Sequence, residues 1–205
     1  MRFREMRAAL IHLPIFSLQD IRKIDPTFHR PQLSYWVEHG YVKPFAGRYY
    51  IFSDRMVAEE LLFMAANLIY PPSYISLESA LSAYGIIPES VLGVTSVSSR
   101  KTNQFESGWG TLRYRTVKPA LMFGYAVINV SEHIKYQLAH LEKAILDYLY
   151  LNPKISSLAD FDGLRWNRAR LSEDLQISIF SDYLAAMDNR ALRARADLLM
   201  EYLHA

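Results

Sequence analysis

The sequence predicts an α+β protein: an N-terminal winged helix-turn-helix over residues 1–53, then a mixed helical domain with a small antiparallel sheet over residues 54–205. Three observations predict it. Apolar residues recur at helical spacing three times before residue 40. Two short aromatic runs, "YVKPF" and "RYYIF", then flank Ala46-Gly47 as a hairpin would. Beyond Asp54, long helical patterns bracket a stretch rich in β-branched residues, Ser and Gly.

Taken in order, Met6, Ala9, Leu10 and Leu13 form the apolar side of a first helix from about Arg2 to His12, closed by Pro14. Ser17 is an N-cap for "LQDIRKI", with Asp20 three residues on in the place of a capping-box acid. Asp25-Pro26 ends that helix. A third begins near Arg30 or Pro31 and turns Leu33, Trp36 and Val37 inward; Gly40 is its terminator. Alternation along the second strand of the hairpin puts Tyr49 and Ile51 on one side, Tyr50 and Phe52 on the other.

In the second part, "DRMVAEELLFMAANLIY" reads as a helix stopped by Pro71-Pro72, and "SLESALSAYG" as another, capped by Ser76 and stopped by Gly85. "VLGVTSVSSRKTNQF", "GTLRYRTVK" and "MFGYAVINV" read as extended, with a hairpin turn at "ESGWG". Helices return with "YQLAHLEKAILDYLYLN", "SSLADFDGLRWNRARLSED" and "FSDYLAAMDNRALRARADLLMEYL". In the first of these, Leu141, Ala144, Ile145, Tyr148 and Leu149 make a buried stripe; Glu142 and Asp147, five apart, do not stack.

Composition excludes several classes. At 51% hydrophobic and 21% charged the chain is that of a folded protein. The longest apolar run, Leu61 to Tyr70, is too short to span a bilayer, so no membrane role is expected. The absence of cysteine removes disulfides and thiolate metal sites, and with no signal-peptide pattern it fits a cytoplasmic chain. His29 and His39 are ten apart and His133 and His140 seven apart, neither a metal-ligand spacing, so no metal is expected. The phosphate-cradling glycine loops and the G-x-S-x-G elbow are missing, and no cofactor or catalytic residue suggests itself.

Charge is unevenly distributed. Residues 1–55 hold nine Lys/Arg against five Asp/Glu, whereas the rest hold fourteen against sixteen. A basic head on a faintly acidic body suits a nucleic-acid-binding module. On the third helix the candidate DNA contacts are Arg30, Gln32, Ser34, Tyr35 and His39, with Lys43, Arg48 and Tyr49 on the hairpin. Arg and Gln can bond base edges in pairs of hydrogen bonds, while Ser and Tyr more often hold phosphate. A second set of cations, Arg100, Lys101, Arg113, Arg115 and Lys118, falls on or beside predicted strands, and Arg165 and Arg168 lie in "LRWNRARL". The strand cations form a candidate anion or partner-protein surface, or equally the wet side of an antiparallel sheet, and Arg165 and Arg168 could grip acidic groups on a partner or DNA backbone, or equally pair within the domain.

Across nearly its whole length the chain resembles the AbiEi-type antitoxins of type IV toxin–antitoxin (abortive infection) systems. The resemblance lies in "FSLQDIRKIDP…QLSYWVEHGYVKPFAGRYYIF", "YISLESALSAYGIIPES", "VTSVSSRKTNQFESGWGTLRYRTVKP", "FGY" and "LEKAILDYLYLNP", in that order. One departure is Leu141, where family members commonly carry a proline before the Glu-Lys pair. The resemblance implies a winged helix that binds operator DNA and represses its own operon; a repressor that reads an inverted repeat would bind as a dimer or as two monomers. It also implies a C-terminal domain that counteracts a nucleotidyltransferase-like toxin; with no paired acidic or nucleophile–base constellation at recognisable spacing, no enzymatic activity is expected. The rival readings are a stand-alone transcriptional regulator and an enzyme using the basic sheet face.

Overall fold

A computed structural model describes residues 1–88 and 92–204, so Glu89 and Ser90 of the "YISLESALSAYGIIPES" stretch, and Val91 after it, lie outside it. Helix α1 (Phe3–Leu10) leads to a two-residue strand β1 (Phe16–Ser17), then α2 (Leu18–Ile24) and α3 (Arg30–Glu38). The hairpin β2 (Val42–Pro44) and β3 (Tyr49–Phe52) follows, and the three strands form an antiparallel sheet in the order β1-β3-β2. Ser17 caps α2 as expected: its hydroxyl accepts from the Asp20 N–H, while Asp20 accepts from the Ser17 N–H at 2.9 Å. Gly40 follows α3 at φ +69°, a conformation costly for any side chain with a Cβ.

Met6, Leu10, Phe16, Ile21, Phe28, Leu33, Trp36, Val42 and Phe52 fill a small core between these elements. The alternation along β3 divides two cores. Phe52 points into the small one, whereas Ile51, with Ile15, Phe45 and Ala46, belongs to the core of the larger part of the chain. The hairpin tip is therefore seated on that larger part. The Phe45 ring stacks on Trp109 at 5.2 Å, and Gly47 approaches Phe105.

Beyond residue 58 come α4 (Glu59–Ile69), β4 (Ser73–Ile75), α5 (Leu77–Ala83), β5 (Val94–Ser98), β6 (Asn103–Phe105) and β7 (Leu112–Thr116). Next are β8 (Tyr125–Asn129), β9 (Lys135–Ala139), α6 (Leu141–Leu151), α7 (Leu158–Leu164), α8 (Arg168–Asp174), α9 (Ile177–Met187) and α10 (Arg190–His204). The sheet here is larger than the small antiparallel one expected, and it is mixed. Its order is β6-β7-β5-β4-β9-β8, with β5–β7 and β4–β9 parallel and the other pairs antiparallel. The hairpin turn between β6 and β7 lies where "ESGWG" predicts it, but β7 inserts between β6 and β5. Turn residues signal a reversal of direction; they do not say which neighbour the returning strand takes.

A second correction concerns "YQLAHLEKA", read as continuous helix. Residues Lys135–Ala139 are a strand, and the helix starts at Leu141. The strand is held by β4 and β8, and by the Asn67 side chain accepting the Gln137 N–H at 2.7 Å. Helix α4 covers one face of the sheet, where Tyr114 donates to the Ala66 carbonyl. Helices α5 and α6 cover the other, with α9 and α10 packed behind α6.

Two outcomes are expected from this packing. Phe45, 1% exposed, ties the hairpin to the larger core, so Phe45→Ala is expected to cost about 3–5 kcal/mol in chemical denaturation. A loss near zero would mean the hairpin tip is not seated. The second concerns Asp20, where burial works to raise the carboxyl but the hydrogen bonds from Lys23 and Ser17 outweigh it and hold it below its ordinary range. A carboxyl lowered by folding stabilises above the unfolded value of about 3.9, and that gain disappears as pH falls through the folded value. Asp20→Asn should therefore melt lower than wild type at neutral pH, and the two melting curves should converge in strong acid.

Candidate functional site

Helix α3 presents a polar side to solvent because its two large apolar residues, Leu33 and Trp36, are buried. Arg30, Ser34, Tyr35, Glu38 and His39 are all exposed, and the first four line a shallow depression with Pro31. His39 stacks on Tyr35 at 3.8 Å, and its Nδ1 lies 2.9 Å from the Tyr35 carbonyl oxygen, so that nitrogen carries the proton. Tyr41 lies beside His39 at 6.2 Å and stacks on Phe3 at 4.8 Å, which extends the aromatic row toward the exposed Arg2 and Arg4. Arg2, Arg4 and Tyr41 are members of this surface that the α3 periodicity could not nominate, because α1 reaches it only through the fold.

Gln32 occupies a different position from its neighbours. It is half-buried, and its amide donates to the Met1 carbonyl at 2.7 Å, while the Met1 ammonium pairs with Asp25 at 3.3 Å. The chain start is thereby fastened to the beginning of α3. On the hairpin, Lys43 and Arg48 are exposed; Tyr49 is half-buried against the larger core, with the Arg48 guanidinium 5.8 Å above its ring.

The second group of cations does not form one patch of free charge. Arg100 lies over Tyr70 at 4.1 Å and donates to the Pro71 carbonyl. Arg115 donates to the carbonyl of Leu151, and Arg195 to that of Leu149, so two guanidinium groups cap the C-terminal end of α6. Arg168 donates to the Leu203 carbonyl. Lys101, Arg113 and Lys118 remain exposed, and Arg165 is exposed at a left-handed turn after α7. Arg113 and Arg115 do share a face, as period two requires, but that face is partly covered by α6.

The most polar place in the interior was not predicted. Lys143 and Asp147 are one helical turn apart on α6, both 0% exposed, and form an ion pair. Asp147 also accepts from the Tyr74 hydroxyl at 2.8 Å and the Ser76 hydroxyl at 2.9 Å, and Lys143 donates to the Tyr74 oxygen at 2.9 Å. Burial pushes the Asp147 carboxyl up and the Lys143 ammonium down, and the mutual attraction of the pair opposes both. The Tyr74 hydroxyl is pushed up by burial and by the Asp147 charge. The lysine lies near the rings of Tyr74 and Phe123, and Gly124 makes room for it: a Cβ there would stand 3.0 Å from Lys143 Cγ.

The local backbone serves this cluster. Ser76 was the expected cap of α5, yet its hydroxyl makes no cap bond and goes to Asp147. Leu77 next to it has φ +56°, and Thr95 secures the turn, donating to the Ser76 carbonyl and accepting from the Ser79 N–H. All four members of the cluster are sealed from solvent. Its trace in the sequence is a Lys and an Asp four apart within an apolar helix.

No protein-family model matches this chain. A search of curated proteins likewise finds no match. Among the described residues no three His, Asp or Glu side chains are placed to hold a metal ion, and no helix is long and apolar enough to cross a membrane.

The buried pair yields a prediction. Lys143→Met leaves Asp147 in the interior without its ionic partner, and should destabilise the protein by about 3–5 kcal/mol. Lys143→Met with Asp147→Leu removes both charges and should recover much of that loss in urea denaturation. If the double variant were no more stable than the single one, the ion pair would not be the source of the effect.

Proposed function

We propose that the chain is an AbiEi-type antitoxin, in which a winged helix formed by residues 1–53 binds operator DNA and represses the chain's own operon. On this reading residues 54–205 counteract a nucleotidyltransferase-like toxin. The observation that carries it is the outward side of α3, where Arg30, Ser34, Tyr35 and His39 project from a helix whose other side is locked by Leu33 and Trp36. Nine residues span about 13 Å, a length that lies within a major groove. Arg30 suits paired bonds to a guanine edge, and Ser34 and Tyr35 suit phosphate oxygens. Lys43 and Arg48 flank the same unit on a hairpin whose tip is anchored, so they are available for backbone contacts from a fixed position. The bond from Gln32 to Met1 leaves Arg30 as the preferred base reader on this helix. The net positive charge of residues 1–55 is in the same sense.

Fluorescence anisotropy against the DNA upstream of the chain's own reading frame, with unrelated competitor and a salt series, tests this reading. Specific binding is expected, with log K falling as salt rises. Arg30→Ala should cost about 1–3 kcal/mol in affinity and relax base preference, whereas Arg113→Ala, on β7 of the large sheet, should leave binding unchanged. Equal affinity for operator and competitor would end the repressor reading. Rescue of cells expressing a toxin of the stated class by the full chain carrying Arg30→Ala tests the antitoxin part separately, because residues 54–205 share their core with Ile15, Phe45 and Ile51.

A further inference from the structure

The two edges of the six-stranded sheet are unlike. On one, β6 is only three residues long, with exposed Asn103 and Gln104 and the exposed Lys101 close before it; short, polar, charge-flanked edges resist pairing with other chains. On the other, β8 and the residue after it read Tyr-Ala-Val-Ile-Asn-Val, with no charge, proline or glycine to blunt it. Val127 is 53% exposed and Val130 49%.

The backbone of β8 faces two ways. The Val130 N–H donates to the Ile134 carbonyl, and the Gly124 carbonyl accepts from the His140 N–H. In an antiparallel ladder this phase places the even-numbered residues of β8 in hydrogen-bonded pairs with β9, and turns the N–H and C=O of Tyr125, Val127 and Asn129 outward. Among the described residues no partner meets these outward groups. They are symmetric about Val127. Beside them lies a cavity of about 680 Å³, lined by Met64, Leu68 and Tyr136 among others, with Leu68 46% exposed.

We propose that β8 is a homodimer interface, in which β8 of a second copy of this chain pairs antiparallel across a two-fold axis at Val127. An antiparallel strand centred on a residue whose N–H and C=O both point outward is its own complement. Val127 meets Val127 of the second copy, and Tyr125 meets Asn129, so no like charges are opposed. β8 itself carries no charge, with Lys135 on the neighbouring strand, so an identical neutral strand meets it without opposing like charges. The exposed Val130 and Leu68 flank the pairing and add apolar area that a five-residue ladder alone lacks. The dimer carries two copies of α3 related by a two-fold axis, but it does not depend on the repressor reading.

Analytical ultracentrifugation of the full chain from micromolar to hundreds of micromolar, with amide hydrogen exchange at both ends of the range, tests this. A concentration-dependent dimer is expected in which the Tyr125, Val127 and Asn129 amides become protected. Val127→Lys, at an exposed position, should weaken dimerisation by about tenfold or more while leaving the circular dichroism unchanged. Asn129→Asp should weaken it less. A monomer throughout the range overturns the proposal and leaves the edge to a strand of another protein. A dimer that Val127→Lys does not weaken, with the three amides still exchanging freely, overturns it in favour of a different surface. DNA binding measured on the same samples fails or succeeds separately.

Discussion

An ammonium and a carboxylate leave water together only where neighbouring polar groups replace much of what water supplied, and the larger part of this chain is arranged around that requirement. Lys143 and Asp147 supply the charges from α6; β4 supplies the Tyr74 hydroxyl, and the residue after it the Ser76 hydroxyl. This demands that β4 lie directly under α6, in the middle of the sheet. It also demands a backbone without a side chain at Gly124 and a left-handed turn at Leu77. Tyr74 in turn stacks on Tyr125 at 4.7 Å, so the same cluster positions the β8–β9 edge. Hydrophobic burial alone would let α6 slide or rotate over Val and Ile residues; directional bonds to a buried pair set its register.

The second constraint is the divided strand β3. One strand with side chains alternating between two cores cannot move relative to either without disrupting both. Phe52 belongs to the small core and Ile51 to the large one, and the hairpin tip is gripped through Phe45 and Trp109. The ion pair between Arg7 and Asp54, bidentate with distances of 3.0 and 2.7 Å, reinforces the joint from outside, and Arg55 reaches back to the Ile11 carbonyl. The surface of α3 is consequently held at a fixed angle to the large sheet. Any partner gripped by the sheet edge and any nucleic acid gripped by α3 would be related by that angle.

Two sets of cations on this protein have different work. Arg100, Arg115, Arg168 and Arg195 direct their guanidinium groups at backbone carbonyls, where planar, many-donor groups satisfy acceptors that helix ends and loops leave open. Arg2, Arg4, Arg30, Lys43 and Arg48 are exposed around the N-terminal unit. A count of charges by segment sees only a modest excess; the fold sharpens it by turning four arginines of the larger part onto carbonyls, while Lys101, Arg113 and Lys118 stay exposed there.

Much of the N-terminal part was legible in the sequence because its signals are local. Capping at Ser17, the helix stop at Gly40, the hairpin at Ala46-Gly47 and the inward Leu33 and Trp36 each follow from residues a few positions apart. The outward set on α3 followed from the same periodicity, apart from Gln32, whose partner is the carbonyl of Met1. The strand order of the large sheet was not legible, since β4 and β9 meet across some sixty residues and β7 enters between strands that precede it. Nor was the strand Lys135–Ala139, whose residues suit a helix equally well until β4 and β8 take up its backbone bonds. Nor could spacing reveal that Ser76 would bond a carboxylate rather than cap its own helix. Periodicity and capping are decided within one or two turns of chain, and the sequence by itself determined those. Strand neighbours, buried charge partners and the division of arginines between carbonyls and solvent are decided by contacts between distant segments, and only the tertiary structure could settle them.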